Sequence, residues 1–308
     1  MKKHSQIICP ALIILAGCFW GSMGIFVRKL TSYGFTSVQI VALRLTVAAV
    51  IFCLILLIKE PAGFKIQPKD IPLFLGLGLG SILFFTVCYF TAITMMPLSV
   101  AAILLYTSPI WIMLMSALFF REKITGRKAA ALALAFAGCV LVSGISGEGI
   151  SLKGFLIGLG AGFGYGLYSI LGTVALRRYS PYTVTAYTFI IAAAGSFAVC
   201  RPGDMFSKFA RADNTAWLFL FCCLTALVTA VIPFLAYTRG LAGVEPGKAG
   251  ILATIEPVVA AVIGITVFSE KPTALSAAGI ALVLLAVVIL NIKGKTKEIT
   301  KEITEEKI

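Results

Sequence analysis

The feature that most constrains this chain is a succession of ten apolar runs, each about as long as a bilayer is thick. They lie near residues 8–28, 37–58, 71–92, 98–120, 126–145, 154–175, 183–200, 215–238, 247–268 and 274–292, separated by charged or turn-rich breaks. A helix crosses hydrocarbon in roughly 20 residues, so each run predicts one crossing. The runs are continuous instead of alternating apolar with polar, which excludes a transmembrane barrel. They also exclude a soluble core. Here 59% of residues are hydrophobic and 13% charged, against about 45–50% and about 25% in soluble domains. The expected fold is an all-α polytopic membrane protein with ten transmembrane helices.

The first run does not read as a cleaved leader. Lys2 and Lys3 precede LAGC at 15–18, which resembles a lipoprotein cleavage box, but the apolar stretch continues through FWGSMGIFV to Val27. The net charge of +13 does not signal nucleic acid, because Lys and Arg gather in the short connections and the tail. With ten crossings both ends share one side. That side holds eighteen Lys and Arg, among them Lys59, Lys65, Lys69, Arg121, Lys128 and Arg178, against seven opposite, with Arg44 left inside a span. The positive-inside rule then places both termini in the cytoplasm. Eight cysteines without a C-x-x-C pair, and a single His at position 4, offer no metal or redox centre and no cofactor is expected.

Shifted by 148 residues, the second half lies on the first. Tyr89 meets Tyr237, Ile103-Leu104 meets Ile251-Leu252, Pro109 meets Pro257, and FREKIT at 120–125 meets FSEKPT at 268–273. No gap is needed from 89 to 143, and fourteen of those pairs are identical. The aligned Pro and Glu-Lys positions weigh more than identities among apolar residues. Upstream the shift becomes 145, and GCFWGSM at 17–23 meets GFGYGLY at 162–168. Each carries a small-xxx-small spacing, Gly17/Gly21 and Gly162/Gly166, that lets helices approach closely. The expected units are residues 1–147, residues 148–292 and a charged tail at 293–308. Five spans per half is odd, so the second half must sit upside down, the inverted-repeat logic of secondary transporters with a site near the midplane.

The FWG of the first helix, ALR at 42–44, the prolines of the fourth and ninth helices, and the REK and SEK loop starts occur in duplicated order. Together they resemble the EamA-type members of the drug/metabolite transporter superfamily across nearly the whole chain. The resemblance implies ten helices in the inner (plasma) membrane of a prokaryote, around a central cavity lined by helices one, three, four, six, eight and nine. It implies export of amino acids or other small metabolites, and it does not name the substrate.

Within ILATIEPVVAAVIG at 251–264, Glu256 and Pro257 are two liabilities side by side. Proline removes a backbone donor, and freed carbonyls at membrane depth are tolerated only against protein or water. Pro109 and Pro257 therefore predict that the fourth and ninth helices bend and face the interior. Glu256 has Ser108 as its counterpart, so the carboxylate breaks the symmetry of the halves. An intramembrane carboxylate suits proton coupling or binding of a substrate amine; the alternative is a protonated acid bonded to a neighbouring helix. Arg44 reads first as a snorkelling anchor, with coupling, pairing to Glu256 or binding a substrate carboxylate as the sharper reading. Trp20 and Tyr165, Met23 and Tyr168, and Tyr89 and Tyr237 are repeat mates, and Tyr106 lies one turn before Pro109. Their coincidence with the small-residue faces and their duplication select them as cavity lining over interfacial belt.

Catalysis inside the membrane would need a nucleophile and base, a metal cluster or a carboxylate pair. The spans supply one Glu, one Arg and no His, so an enzyme is not expected. Phosphorylated or nucleotide-linked sugars are the alternative cargo and would favour several cations at the midplane; a channel is the alternative mechanism. The expected partners are a small-molecule substrate, the bilayer and a coupling proton, with a homodimer left open and no nucleic acid.

Overall fold

Every apolar run folds as a helix, and the duplicated breaks of the sequence recur as duplicated breaks in the backbone. The computed structural model describes residues 2–96, 98–144, 151–200, 202–271 and 273–291 and holds no strand among them. The spans are α1 (Ile7–Ser32), α2 (Ser37–Lys59), α3 (Pro68–Ile93), α4 (Val100–Phe120), α5 (Gly126–Ser143), α6 (Leu152–Ala175), α7 (Pro181–Ser196), α8 (Thr215–Leu241), α9 (Pro246–Phe268) and α10 (Ala274–Asn291). All but α7 are long and apolar enough to cross a membrane by length and composition. At 16 residues α7 is shorter than the run that predicts it, about 24 Å at ~1.5 Å per residue. The apolar run goes on as turns to Cys200, and a short surface helix, Pro202–Ala210, follows. The tail at 293–308 and the side chain of His4 lie outside the described residues.

Hydroxyl side chains start four of the spans: Thr36, Thr125, Ser151 and Ser180 each accept the backbone N–H three residues on. The ends of α4 and α9 are built alike. Arg121 and Ser269, repeat mates, both take a left-handed conformation at φ +55°. The N–H of the next residue then reaches back, Glu122 to the Ser116 carbonyl and Glu270 to that of Gly264.

The interior breaks follow the same symmetry. The α-helix of α4 is interrupted at Tyr106 and Thr107, and that of α9 at Thr254, the counterpart of Tyr106. A π-helical stretch occupies Gly76–Leu83 in α3, and a second, Leu227–Val231 in α8, falls within its 148-residue image. Pro109 and Pro257 have no N–H for the carbonyls of Leu105 and Ala253. Those carbonyls lie under the glycine faces: a Cβ on Gly17 would stand 3.1 Å from the Ala253 oxygen, and one on Gly162 3.4 Å from that of Leu105. One turn further, a Cβ on Gly21 would lie 2.5 Å from the Glu256 carbonyl and one on Gly166 3.2 Å from that of Ser108. Thus α1 packs on α9 as α6 packs on α4, and the small-xxx-small spacing is what admits both contacts.

At the periphery α5 and α10 join the halves through Gly138 and Gly279, where a Cβ on either would lie 2.7 Å from the other's carbonyl oxygen. The main core runs between α2, α7 and α8, where Phe52 stacks on Phe189 at 5.0 Å and Phe189 on Phe234 at 4.9 Å. Around this core α1 packs on α8 and α9, and α6 packs on α3 and α4.

Candidate functional site

Glu256 lies in the first turn of the second segment of α9, Ile255–Phe268, one residue before Pro257. Tyr165 of α6 donates its hydroxyl to Glu256 Oε2 at 3.4 Å. Arg44, Tyr89 and Tyr106 all lie within electrostatic reach of the same carboxylate. Although each belongs to a span, Met23, Arg44, Tyr89, Tyr106, Tyr165 and Glu256 are only half-buried. Arg44, Tyr89, Tyr106 and Tyr165 thus form a polar cluster, or chamber, around Glu256 within the bundle, and nothing among the described residues places Met23 against it.

Arg44 does not snorkel. Its Nε donates to Thr229 Oγ1 at 2.8 Å and its Nη2 to the Thr229 carbonyl at 2.9 Å. The cause is written four residues on: Pro233 has no N–H to give to that carbonyl. The guanidinium supplies the missing donor and keeps further N–H groups for the chamber. Among the ion pairs of the described residues there is none between Arg44 and Glu256. Two groups able to carry opposite charge thus lie near each other without pairing.

The chamber has a floor on the side of the chain termini. Tyr168 lies one turn beyond Tyr165 toward that face. Trp20 packs on Phe234 at 5.1 Å and on Tyr237 at 5.4 Å, and Phe234 meets Tyr168 at 5.3 Å. Two buried hydroxyl pairs, Tyr168 with Thr238 at 2.6 Å and Tyr237 with Ser169 at 2.7 Å, tie α6 to α8. Trp20, Tyr168 and Tyr237 are 5%, 3% and 4% exposed, so they form packed core here and line no open space. Trp20 touches the chamber through Tyr165, with ring centroids 6.0 Å apart. Pro109 and Pro257 are likewise buried.

Below the floor a separate cavity of about 800 Å³ opens at the terminal face, lined among others by Glu122, Lys128, Thr173, Arg177 and Glu245. Lys128 Nζ spans it with bonds of 2.6 Å to both Glu122 and Glu245. The chamber is therefore backed toward the termini by an aromatic layer and then an ion-pair layer.

Sequence reasoning did not find Thr229, Phe234, Ser169 or Thr238. Pro233 within an apolar run was the available signal for Thr229, since it marks one carbonyl in need of a donor. Among the described residues no group of His, Cys, Asp and Glu could hold a metal ion.

Comparison with known proteins gives one family for both halves of the chain. The model of the EamA-like transporter family matches twice, over residues 7–144 and 152–292. An uncharacterized transporter of Archaeoglobus fulgidus is 28% identical over 283 residues, covering 91% of this chain and 94% of its own. The pseudopaline exporter CntI of Pseudomonas aeruginosa is 34% identical over 113 residues, covering 37% of this chain and 38% of its own. One solved structure superposes with a TM-score of 0.74 at 20% identity, covering 91% of this chain and 95% of that one, which bears on the fold alone.

Proposed function

Since the chain belongs to the EamA-like transporter family of secondary transporters, we propose that it exports a small zwitterionic metabolite, such as an amino acid, by alternating access. The observation that carries this reading is the unclosed pair of charges. Arg44 and Glu256 are held apart in one chamber, Arg44 by Thr229 and Glu256 by Tyr165. Charges at this depth are costly without partners. A zwitterion supplies both: its carboxylate takes the free guanidinium N–H groups, and its ammonium takes Glu256. Tyr89, Tyr106 and Tyr165 bound the space between.

Glu256 also gives a route to coupling. A proton from outside that neutralises the carboxylate removes the ammonium's partner, and the substrate leaves. Loss of that proton to the cytoplasm restores the site for the next substrate. The distribution of Lys and Arg supports a cytoplasmic position for the termini, which puts the aromatic and ion-pair layers on the inward side of the chamber. The name of the pseudopaline exporter supports the outward direction of transport. A phosphorylated sugar fits less well, because Arg44 is the single cation among the chamber residues.

The test is purified protein in liposomes loaded with mixed amino acids, with an imposed pH gradient. We expect one zwitterion, or a few related ones, to move against the proton flux. Flux of phosphorylated solutes with none of any zwitterion overturns the reading. An untargeted comparison of medium from cells with and without the gene then identifies the cargo.

A further inference from the structure

The two halves end their fourth and ninth helices in the same backbone frame but use it differently. In both, a left-handed residue is followed by a glutamate whose N–H returns to a carbonyl six residues back. Glu122 is the first of these and Glu270 its image under the 148-residue shift.

Glu122 is engaged. Its side chain is 6% exposed and accepts from Ser116 Oγ, from Lys128 Nζ at 2.6 Å and from the backbone N–H of Gly247 at 3.3 Å. Gly247 lies in the first turn of α9, so one carboxylate pins α4 and α5 of the first half to the start of a helix of the second. Lys128 extends the link to Glu245. Glycine at 247 gives the carboxylate room, since a Cβ there would come 2.8 Å from Glu122 Oε1 and the carboxylate end would have to shift. Glu270, by contrast, is 52% exposed and pairs with Arg28, itself 57% exposed, at 2.6 Å. Arg28 belongs to α1, which is already packed on α9, so that pair ties no new element down.

We propose that Glu122 and Glu270 are paired latches that close opposite faces of the transporter in turn. In the state described here Glu122 holds the terminal face shut and Glu270 is released. In the opposite state Glu270 leaves Arg28 and takes the amino-terminal turn of α4, as Glu122 now takes that of α9, while Glu122 lets go. The two latches are not equally strong. The counterparts of Ser116, Lys128 and Gly247 are Gly264, Ser276 and Ser99, so the Glu270 latch lacks a hydroxyl and an ammonium donor and must fit its carboxylate beside a serine where Glu122 has a glycine. This favours the state closed at the terminal face.

The inference rests on alternating access, and the experiment separates the two. Hydrogen–deuterium exchange is followed on the full chain in lipid nanodiscs, at residues 242–253 on the terminal side and at 84–93 and 100–106 on the other. Glu122→Gln should speed exchange at the first segment about tenfold or more, the scale of hydrogen bonds to a charged group, and slow it at the other two. Lys128→Gln should do the same to a lesser degree. Glu270→Gln should slow the terminal side below wild type. Gly247→Leu is the reference, because its bulk wedges the terminal side open whatever the latch does.

If Gly247→Leu changes both sides reciprocally and Glu122→Gln speeds only the terminal side, Glu122 is a helix cap and the latch is overturned. If Gly247→Leu opens the terminal side and leaves the other unchanged, alternating access fails and the latch falls with it. Should Glu122→Gln not insert, Glu270→Gln decides, and unchanged or faster exchange on the terminal side overturns the proposal.

Discussion

Glu256 and Arg44 both lie within spans, yet only one of them has a backbone task. Arg44 completes the Thr229 carbonyl that Pro233 leaves open, so Arg44→Met should lower thermal stability by about 1–3 kcal/mol, the cost of a buried group left unpaired. Arg44→Lys keeps the charge but not the forked geometry, and should raise KM for the substrate more than it lowers Tm. Glu256→Gln should keep the fold, because the amide still accepts from Tyr165, while pH-gradient-driven flux falls sharply or loses its dependence on the gradient. Unchanged flux and unchanged pH dependence would return Glu256 to a packing role. Tyr237→Phe removes the Ser169 bond inside the floor, and is expected to change how readily the floor opens, read as maximal rate, rather than binding. The two charges and the prolines were legible because a charge or a missing N–H stands out in an apolar run. The division of the aromatics was not. Tyr89 and Tyr237 are equivalent in sequence, and only the conformation adopted makes one line the chamber and the other fill the floor.

Helices carry the next level. The pairing of Gly17/Gly21 with α9 and of Gly162/Gly166 with α4 turns a common spacing into a specific contact. Gly21→Leu and Gly166→Leu should each destabilise the purified protein by about 1–3 kcal/mol through overpacking, measured as the detergent melting temperature. Leu at Gly24, where a Cβ meets nothing within 4 Å, should not. The break of α4 at Tyr106 and of α9 at Thr254 was anticipated from the prolines, but the π-helical stretches of α3 and α8 were not. No residue type marks a π-turn on its own; Thr229 looks like any threonine until Arg44 is placed against it. The surface helix Pro202–Ala210 was also hidden in a loop. It docks through Asp204, which accepts from the Gln39 amide at 2.7 Å and pairs with Lys208 at 3.0 Å. The Gln39 bond, and then Lys208, hold this carboxyl below its ordinary value. A lowered folded pKa means the docking is intact above about pH 4, the unfolded value, and is lost as pH falls through the folded one. Exchange over 203–210 should therefore be flat from pH 7 to about 5 once intrinsic rates are corrected, and rise in more acidic buffer.

For the whole molecule, ten crossings in two five-helix halves were readable because bilayer thickness fixes run length and the 148-residue shift aligns landmarks that chance does not. A reporter fused after Ile308 should be active only in the cytoplasm, and a tag within 203–214 should be labelled from outside. Cytoplasmic labelling of that tag would invert the assignment of the two faces. The inverted frame has a further consequence for how such a protein tolerates change. If the second state is the first turned over, any pair of repeat mates weighs on the balance only through its difference. The same substitution made at Gly17 and at Gly162 would burden the fold twice and leave the equilibrium where it was, whereas either alone would tip it. The working asymmetry then lies in mates whose chemistry differs, among them Ser108 with Glu256, Ser116 with Gly264 and Lys128 with Ser276. Direction and coupling can drift at those positions while the scaffold around them stays a self-balancing pair.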